Sequence, residues 1–254
     1  GISSNFLKFI KKRKIFLIED VCESHGAKLN NKKLGSLGDI SNFSFYYAHH
    51  MTTIEGGMVC TNSKQIDTIV KMKRGHGLLR DSQNNTLINK TKRKLKDLNS
   101  DFIFLTEGFN LRNNELSAVI GLQQLKRLDK IIKARNANHR LFINNLRKDI
   151  FFTDFDLKGS SNYAFNLVLK EPNKLLVKKL MNKMNKNGIE FRRGSAGGGN
   201  QIRQPYLDYM FSNKHYSNFP NVEHIHFYGF YIGNFPDITK REIDKICLIL
   251  NSIK

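Results

Sequence analysis

Two adjacent histidines, His49 and His50, stand between an alternating aromatic stretch (Phe43, Phe45) and a Gly56–Gly57 pair that leads into the apolar run Met58–Cys60. An imidazole titrates near neutrality and can both take and return a proton, so this loop can carry acid–base chemistry. A pair of satisfied core or surface histidines is the bland alternative. A metal is excluded: the two are too close to be a helical ligand pair, and no Cys/His/carboxylate set has zinc spacing. Asp20 closes the run IFLIED and has two readings. It is a turn or helix-capping aspartate, or it partners a cationic heterocycle such as a pyridinium nitrogen, whose proton makes the ring a better electron sink. Ser44 and the backbone beside it can hold a phosphate. Gly197–Gly199 lacks the Lys-Ser/Thr of a P-loop and the GxGxxG register, so it is a linker or a substrate-contacting loop. Ser195 has no hydrolase motif around it.

These residues need elements to hold them. Residues 4–12 read as a helix end with Phe6, Leu7 and Ile10 on one face. Ile15–Ile18 reads as a buried parallel strand. That places Glu19 and Asp20 at its C-terminal end, where open α/β sheets put ligands. Loop 21–42 carries His25 and three glycines. Strands then flank the histidine loop, and Ser63 caps a helix over Ile66–Met72. Residues 76–99 read as a long irregular loop, followed by the short apolar piece Phe102–Leu105. From Leu116 apolar residues recur at helical spacing to about Leu146, and the expected domain boundary falls near residue 135, giving domains 1–135 and 136–254. The second domain reads as a small α/β unit: a strand over Phe165–Leu169, a helix over 173–187 closed by Gly188, a strand over Ile189–Phe191, an extended segment over 224–234, and a closing helix over 239–252.

Composition narrows the function classes. Lys and Arg number 42 against 22 Asp and Glu, a net charge of +20. The lysines are scattered through every segment, which suits an anionic small substrate better than nucleic acid. No run of about 18 apolar residues exists, so no membrane span is expected. The first residues lack a signal-peptide pattern. Three widely spaced cysteines fit a reducing cytoplasm and cannot supply the four ligands of an iron–sulfur cluster.

The segments IEDVCESHGAKLNNKKLGSLGDISNFSFY, EGGMVCTN and GFNLRNNELSAVIGLQQLKRLD together resemble the DegT/StrS-type sugar aminotransferases. The resemblance implies an α/β fold of the pyridoxal-phosphate-dependent transferase fold type I. Residues 1–135 would be part of its mostly parallel large domain, and the rest its small C-terminal α/β domain. It also implies that the N-terminal part of the large domain lies before Gly1. Residue by residue it implies that Asp20 meets the pyridine nitrogen and Ser44 the cofactor phosphate. Asn110 reaches the phosphate in a neighbouring subunit of a homodimer, and Glu23 stands near the phenolic oxygen.

The family's catalytic lysine, five residues after the serine, is His49 here. YYAHHMTTIEGG is similar to the GDP-4-keto-6-deoxymannose 3-dehydratase subgroup, and the absence of cluster ligands favours that subgroup over its iron–sulfur relatives. His76 in RGHGLLRD falls on a second active-site histidine, and Arg203 in GGGNQIRQP would face the nucleotide sugar. An imidazole can move protons but cannot tether the cofactor as lysine does. The expected function is therefore removal of the C3 hydroxyl from a 4-keto-6-deoxy nucleotide sugar, with non-covalent pyridoxamine 5′-phosphate, glutamate as amino donor and ammonia released. The alternatives are an aminotransferase using another lysine such as Lys64, a basic binding module, and an inert fragment of the family.

Overall fold

The computed structural model of the protein describes residues 3–194, 198–211 and 216–253; Ser195 and Gly197 lie outside them. The chain divides into two units, 1–129 and 130–254.

In the first unit, helix α1 (Ser4–Arg13) starts where the Ser3 hydroxyl accepts the Phe6 N–H, and it ends at Lys14 in the left-handed region. Strand β1 (Ile18–Asp20) follows. A short hairpin comes next, β2 (Lys28–Leu29) and β3 (Lys32–Lys33), then β4 (Ile40–Ser44) and β5 (Gly57–Cys60). The hairpin was not expected. Asn30 and Asn31 both have positive φ, 49° and 65°, as a type I′ turn requires, and asparagine is among the few residues that accept this. β1 lies parallel to β4, with Asp20 opposite Asn42, and β5 runs antiparallel on the other side of β4.

The expectation of a buried strand over Ile15–Ile18 is corrected. β1 begins only at Ile18 and is an edge strand. Alternation turns Glu19 inward and leaves Ile18 and Asp20 on the open face, with Ile18 63% exposed.

Helix α2 (Lys64–Arg74) is capped by Ser63 as expected. The expected loop 76–99 instead holds a 3-10 turn over Leu79–Ser82 and helix α3 (Asn85–Lys94). Asn84 caps α3 through the Leu87 N–H, and Lys92, Arg93 and Lys94 face the negative end of its dipole. Thr91 is its one buried residue, so the helix carries no apolar stripe to betray it. Helix α4 (Glu115–Asn145) has 31 residues, and the two units divide within it.

The second unit contains β6 (Ala164–Val168), α5 (Lys174–Lys186), β7 (Phe191–Arg193), α6 (Pro220–Tyr228), β8 (Gly229–Gly233) and α7 (Lys240–Asn251). Its antiparallel sheet has the order β6-β8-β7. Residues 224–234 were expected to be extended throughout, but the first half is helix α6. Pro220 sits at its first turn, and Gly229 ends it where a Cβ would lie 2.5 Å from the Ile225 carbonyl oxygen. Phe142 and Phe165 stack at 4.5 Å in a core with Leu167, Leu180, Phe230 and Leu250. Thr239 and Glu242 form a reciprocal capping box at the start of α7.

Candidate active site

The carboxylate of Asp20 projects from the C-terminal end of β1 and stays solvent-exposed. Its Oδ1 accepts the Cys22 backbone N–H and the Asn42 side-chain N–H, each at 3.1 Å. The Asn42 bond follows from the register, which sets the two residues opposite one another. A hydrogen bond from the Cys22 thiol, these two N–H groups and the nearby His49 hold the Asp20 carboxyl below the usual range against a smaller opposing effect of burial. The group is thus an anion at the sheet edge. Burial, with Asp20 adding to it, pushes the Cys22 thiol up to about 11.

His49 lies half-buried on the loop between β4 and β5. Its Nδ1 is 3.3 Å from the Ser44 carbonyl oxygen. A carbonyl only accepts, so Nδ1 carries the proton and the basic lone pair belongs to Nε2. The loop is stapled to β4. Phe45 N–H donates to the Gly56 carbonyl and Thr53 N–H to the Phe45 carbonyl, both at 2.9 Å, while His49 N–H closes a turn on Tyr46 at 3.0 Å. Ile54 in this loop has φ +74°, an unfavourable value for a β-branched residue. The Ser44 hydroxyl accepts the Tyr46 N–H at 3.3 Å.

Two neighbours carried no assigned role in the sequence. His25 is buried behind the loop, with its ring 6.4 Å from that of His49 and 5.6 Å from that of His50, against Phe43 and Phe45. Burial, and to a smaller degree the charge of His49, pushes its imidazole down to about 4. It is neutral at physiological pH. His50 is also buried, so the two adjacent histidines separate into one interior ring and one half-buried ring. Glu19, buried in the other direction, accepts the N–H groups of Gly35, Leu37 and Gly38, each at 2.7 Å. Its partners lie 16 to 19 residues away, and no local signal announces them.

The other predicted site residues have partners of their own. His76 is exposed with φ +64°, and its N–H donates to the Phe109 carbonyl at 2.8 Å. Gly77 follows at φ +82°, where a Cβ would lie 1.7 Å from the Thr106 carbonyl oxygen, so only glycine lets the two segments meet. Neither His76 nor Asn110, which is exposed and bridged to Gly75, bonds to Asp20, Ser44 or His49. Glu23 is half-buried and lies close enough to Cys22 to act on its thiol electrostatically. In the second unit, Arg203 is already engaged. Its Nε and a terminal nitrogen bind Glu223 at 2.9 and 2.5 Å, and its guanidinium lies 3.9 Å from the Tyr216 ring centre and 4.9 Å from that of Phe227. Lys64 opens α2 and is exposed. Among the described residues, no group of three or more His, Cys, Asp or Glu could hold a metal, and no helix is long and apolar enough to cross a membrane.

An ionised carboxylate at a strand end, a nearby imidazole and a serine hydroxyl on the intervening strand fit a phosphorylated pyridine cofactor. Asp20 would hold the ring nitrogen and Ser44 the phosphate, leaving His49 to handle protons.

GDP-4-keto-6-deoxy-D-mannose 3-dehydratase of Escherichia coli O55:H7 is 32% identical over 246 residues, covering 96% of this chain and 62% of that protein. The solved structure of the E. coli dehydratase with bound hydrated PLP superposes with a TM-score of 0.82 at 30% identity, covering 96% of this chain and 62% of that one. A second structure of this dehydratase, holding a trapped PLP–glutamate geminal diamine, gives a TM-score of 0.77 at 29% identity with the same coverage. This chain therefore spans 62% of the length of these relatives. Its fold is the PLP-dependent transferase fold type I. The DegT/DnrJ/EryC1/StrS aminotransferase pattern matches residues 4–251, and the chain belongs to that family.

Proposed function

We propose that this chain carries the catalytic histidine of a nucleotide-sugar 3-dehydratase that uses pyridoxamine 5′-phosphate and removes the C3 hydroxyl of a 4-keto-6-deoxy sugar. The observation that carries the reading is His49: an imidazole, not an amine, stands on the loop after β4, with its Nδ1 3.3 Å from the Ser44 carbonyl oxygen. When bound, the cofactor supplies the amine that condenses with the 4-keto group and a ring that takes up electrons as the C3 oxygen leaves. His49 Nε2 removes the proton from C4′ and protonates the departing C3 oxygen. Its Nδ1–H, held by the Ser44 carbonyl, keeps the ring in the tautomer that does this. Asp20 retains the proton on the ring nitrogen. Glutamate is the proposed amino donor, and the products are a 3-deoxy-4-keto sugar and ammonia.

The outlying residues take supporting places in the proposal. His76 positions substrate or cofactor, Glu23 stands near the phenolic oxygen, and Asn110 reaches the phosphate of a second copy. Arg203 faces the nucleotide sugar, and a phosphate binding there must displace Glu223. Residues 1–135 act as the cofactor-binding part and 136–254 as the small domain. The exposed apolar residues Phe109, Leu111, Leu116, Val119, Leu122 and Leu125 are the face a second copy would cover in a homodimer. The protein is placed in the cytoplasm.

The test is product analysis. The protein is incubated with pyridoxamine 5′-phosphate, glutamate and a 4-keto-6-deoxy nucleotide sugar. A 3-deoxy sugar with ammonia release is expected, and its loss in His49→Asn. An amino sugar product would instead place the chain with the transaminating members of the family.

A further inference from the structure

The hydrogen bonds around Asp20 are asymmetric. Both nitrogen donors, Cys22 N–H and the Asn42 amide, land on Oδ1. The Asn42 amide is also 3.3 Å from Cys22 Sγ, so the three side chains close a ring of contacts at the end of β1. No N–H of a described residue reaches Oδ2. The Asp20 residue is exposed, and only Oδ1 is engaged by these N–H groups. Nothing in the proposed chemistry requires a cysteine at position 22 or an asparagine at position 42. Yet among the described residues the Cys22 backbone N–H and the Asn42 amide are the N–H donors to Asp20, the Cys22 thiol adds to them, and the strand register aligns Asn42 opposite Asp20.

We propose that Cys22 and Asn42 are positioning residues that lock the Asp20 carboxylate with Oδ1 turned into the sheet and Oδ2 presented to the cofactor's ring nitrogen. The identity of that nitrogen rests on the function proposed above; the lock itself does not. A carboxylate fixed in one rotamer loses no freedom on meeting a cationic N–H, and donors on its far oxygen keep it anionic before the cofactor arrives. The thiol can remain a donor because burial and Asp20 keep it protonated to about 11. The charged and titratable groups that act on this ring are Asp20 on β1, Glu23 beside Cys22, and His49 from the histidine loop. Asn42 is the contribution of β4.

Alkylation of Cys22 by iodoacetamide, followed by mass spectrometry of its peptide across a pH series, tests the lock without cofactor. Asp20→Asn should speed alkylation at pH 8 by about threefold or more, because the carboxylate no longer opposes the thiolate. Asn42→Leu should slow it, because the amide that favours the thiolate is gone. Mere loosening of the sheet edge would speed both variants. Equal rates in all three proteins, or a change of the same sign in both variants, would overturn the proposal. The second readout is the ring-nitrogen titration of bound pyridoxamine 5′-phosphate by absorbance. Asn42→Leu and Cys22→Ala should lower the pH at which that proton is lost, and Cys22→Ser, which restores a donor, should return it toward wild type. An unmoved titration in all variants would also overturn the proposal. If the protein takes up no pyridoxamine 5′-phosphate, the cofactor assignment fails while the alkylation pattern still decides the lock.

Discussion

The two units put their buried volume to different uses. The second closes a conventional apolar core, in which Phe142, Phe165, Leu180 and Leu250 are wholly inaccessible. The first places Glu19, His25, Ser41, His50 and Thr53 in its interior while Ile18, Phe104 and Leu116 stand in solvent, the last 78% exposed. A core that holds titratable rings and a carboxylate gives up cohesion for geometry. The difference is one of proportion: the second unit rests chiefly on apolar burial around buried Arg135 and His139, and the first gives a larger share of its interior to polar groups.

Core truncation should expose the contrast most strongly. Phe165→Ala should cost about 4 kcal/mol of the second unit's stability, whereas Leu116→Ala on the open face of α4 should stay within about 0.5 kcal/mol. Denaturant unfolding measures both, and comparable losses would mean that α4 is covered in solution.

Acid should weaken the second unit next. His139 is buried there against Phe155 and Phe165, and burial pushes its imidazole from 6.5 down to about 4. A folded-state value below the unfolded one means that the unfolded chain takes up the proton first. The contribution of the neutral ring is therefore complete above pH 6.5 and is lost as pH falls toward 4, by about 3 kcal/mol. Unfolding of wild type and His139→Phe across this range should show a shallower slope in the variant, where the share of His25 remains.

Much of this architecture was legible because its signals are local. Ser63 and Thr239 announce their helices through caps three residues from their partners, and the apolar spacing from Leu116 onward yields α4 directly. The positions of Asp20 at a strand end and of His49 on the loop before a Gly-Gly turn were likewise local. What stayed hidden depends on distant partners or on the lack of a stripe. Arg203 meets Glu223 across 20 residues, Glu19 accepts from Gly35, Leu37 and Gly38 beyond a hairpin, and α3 buries too little to show a period. The Asn30–Asn31 turn and the Asn84 cap of α3 are local signals and were readable. Exposure of Ile15–Ile18 was not readable at all, because an apolar run says nothing about what packs over it.

Smaller effects sharpen the account of the first unit. Glu19→Gln leaves one acceptor where three N–H groups converge, and should cost about 2 kcal/mol with faster amide exchange at Leu37 and Gly38. Unchanged exchange there would remove Glu19 from the support of β1. Ile54→Asn should act in the other direction. It relieves a β-branched residue at φ +74° and should raise stability by about 1 kcal/mol in thermal unfolding. A loss instead would mean that the Ile54 side chain is held by favourable packing.

Borohydride reduction of the protein loaded with pyridoxal 5′-phosphate, followed by peptide mapping, bears most directly on the claim that an imidazole replaces the tethering amine at position 49. The expected result is no cofactor fixed to any lysine of the wild-type chain, and covalent label at position 49 in His49→Lys. Label on a wild-type lysine, Lys64 or any other, would contradict it.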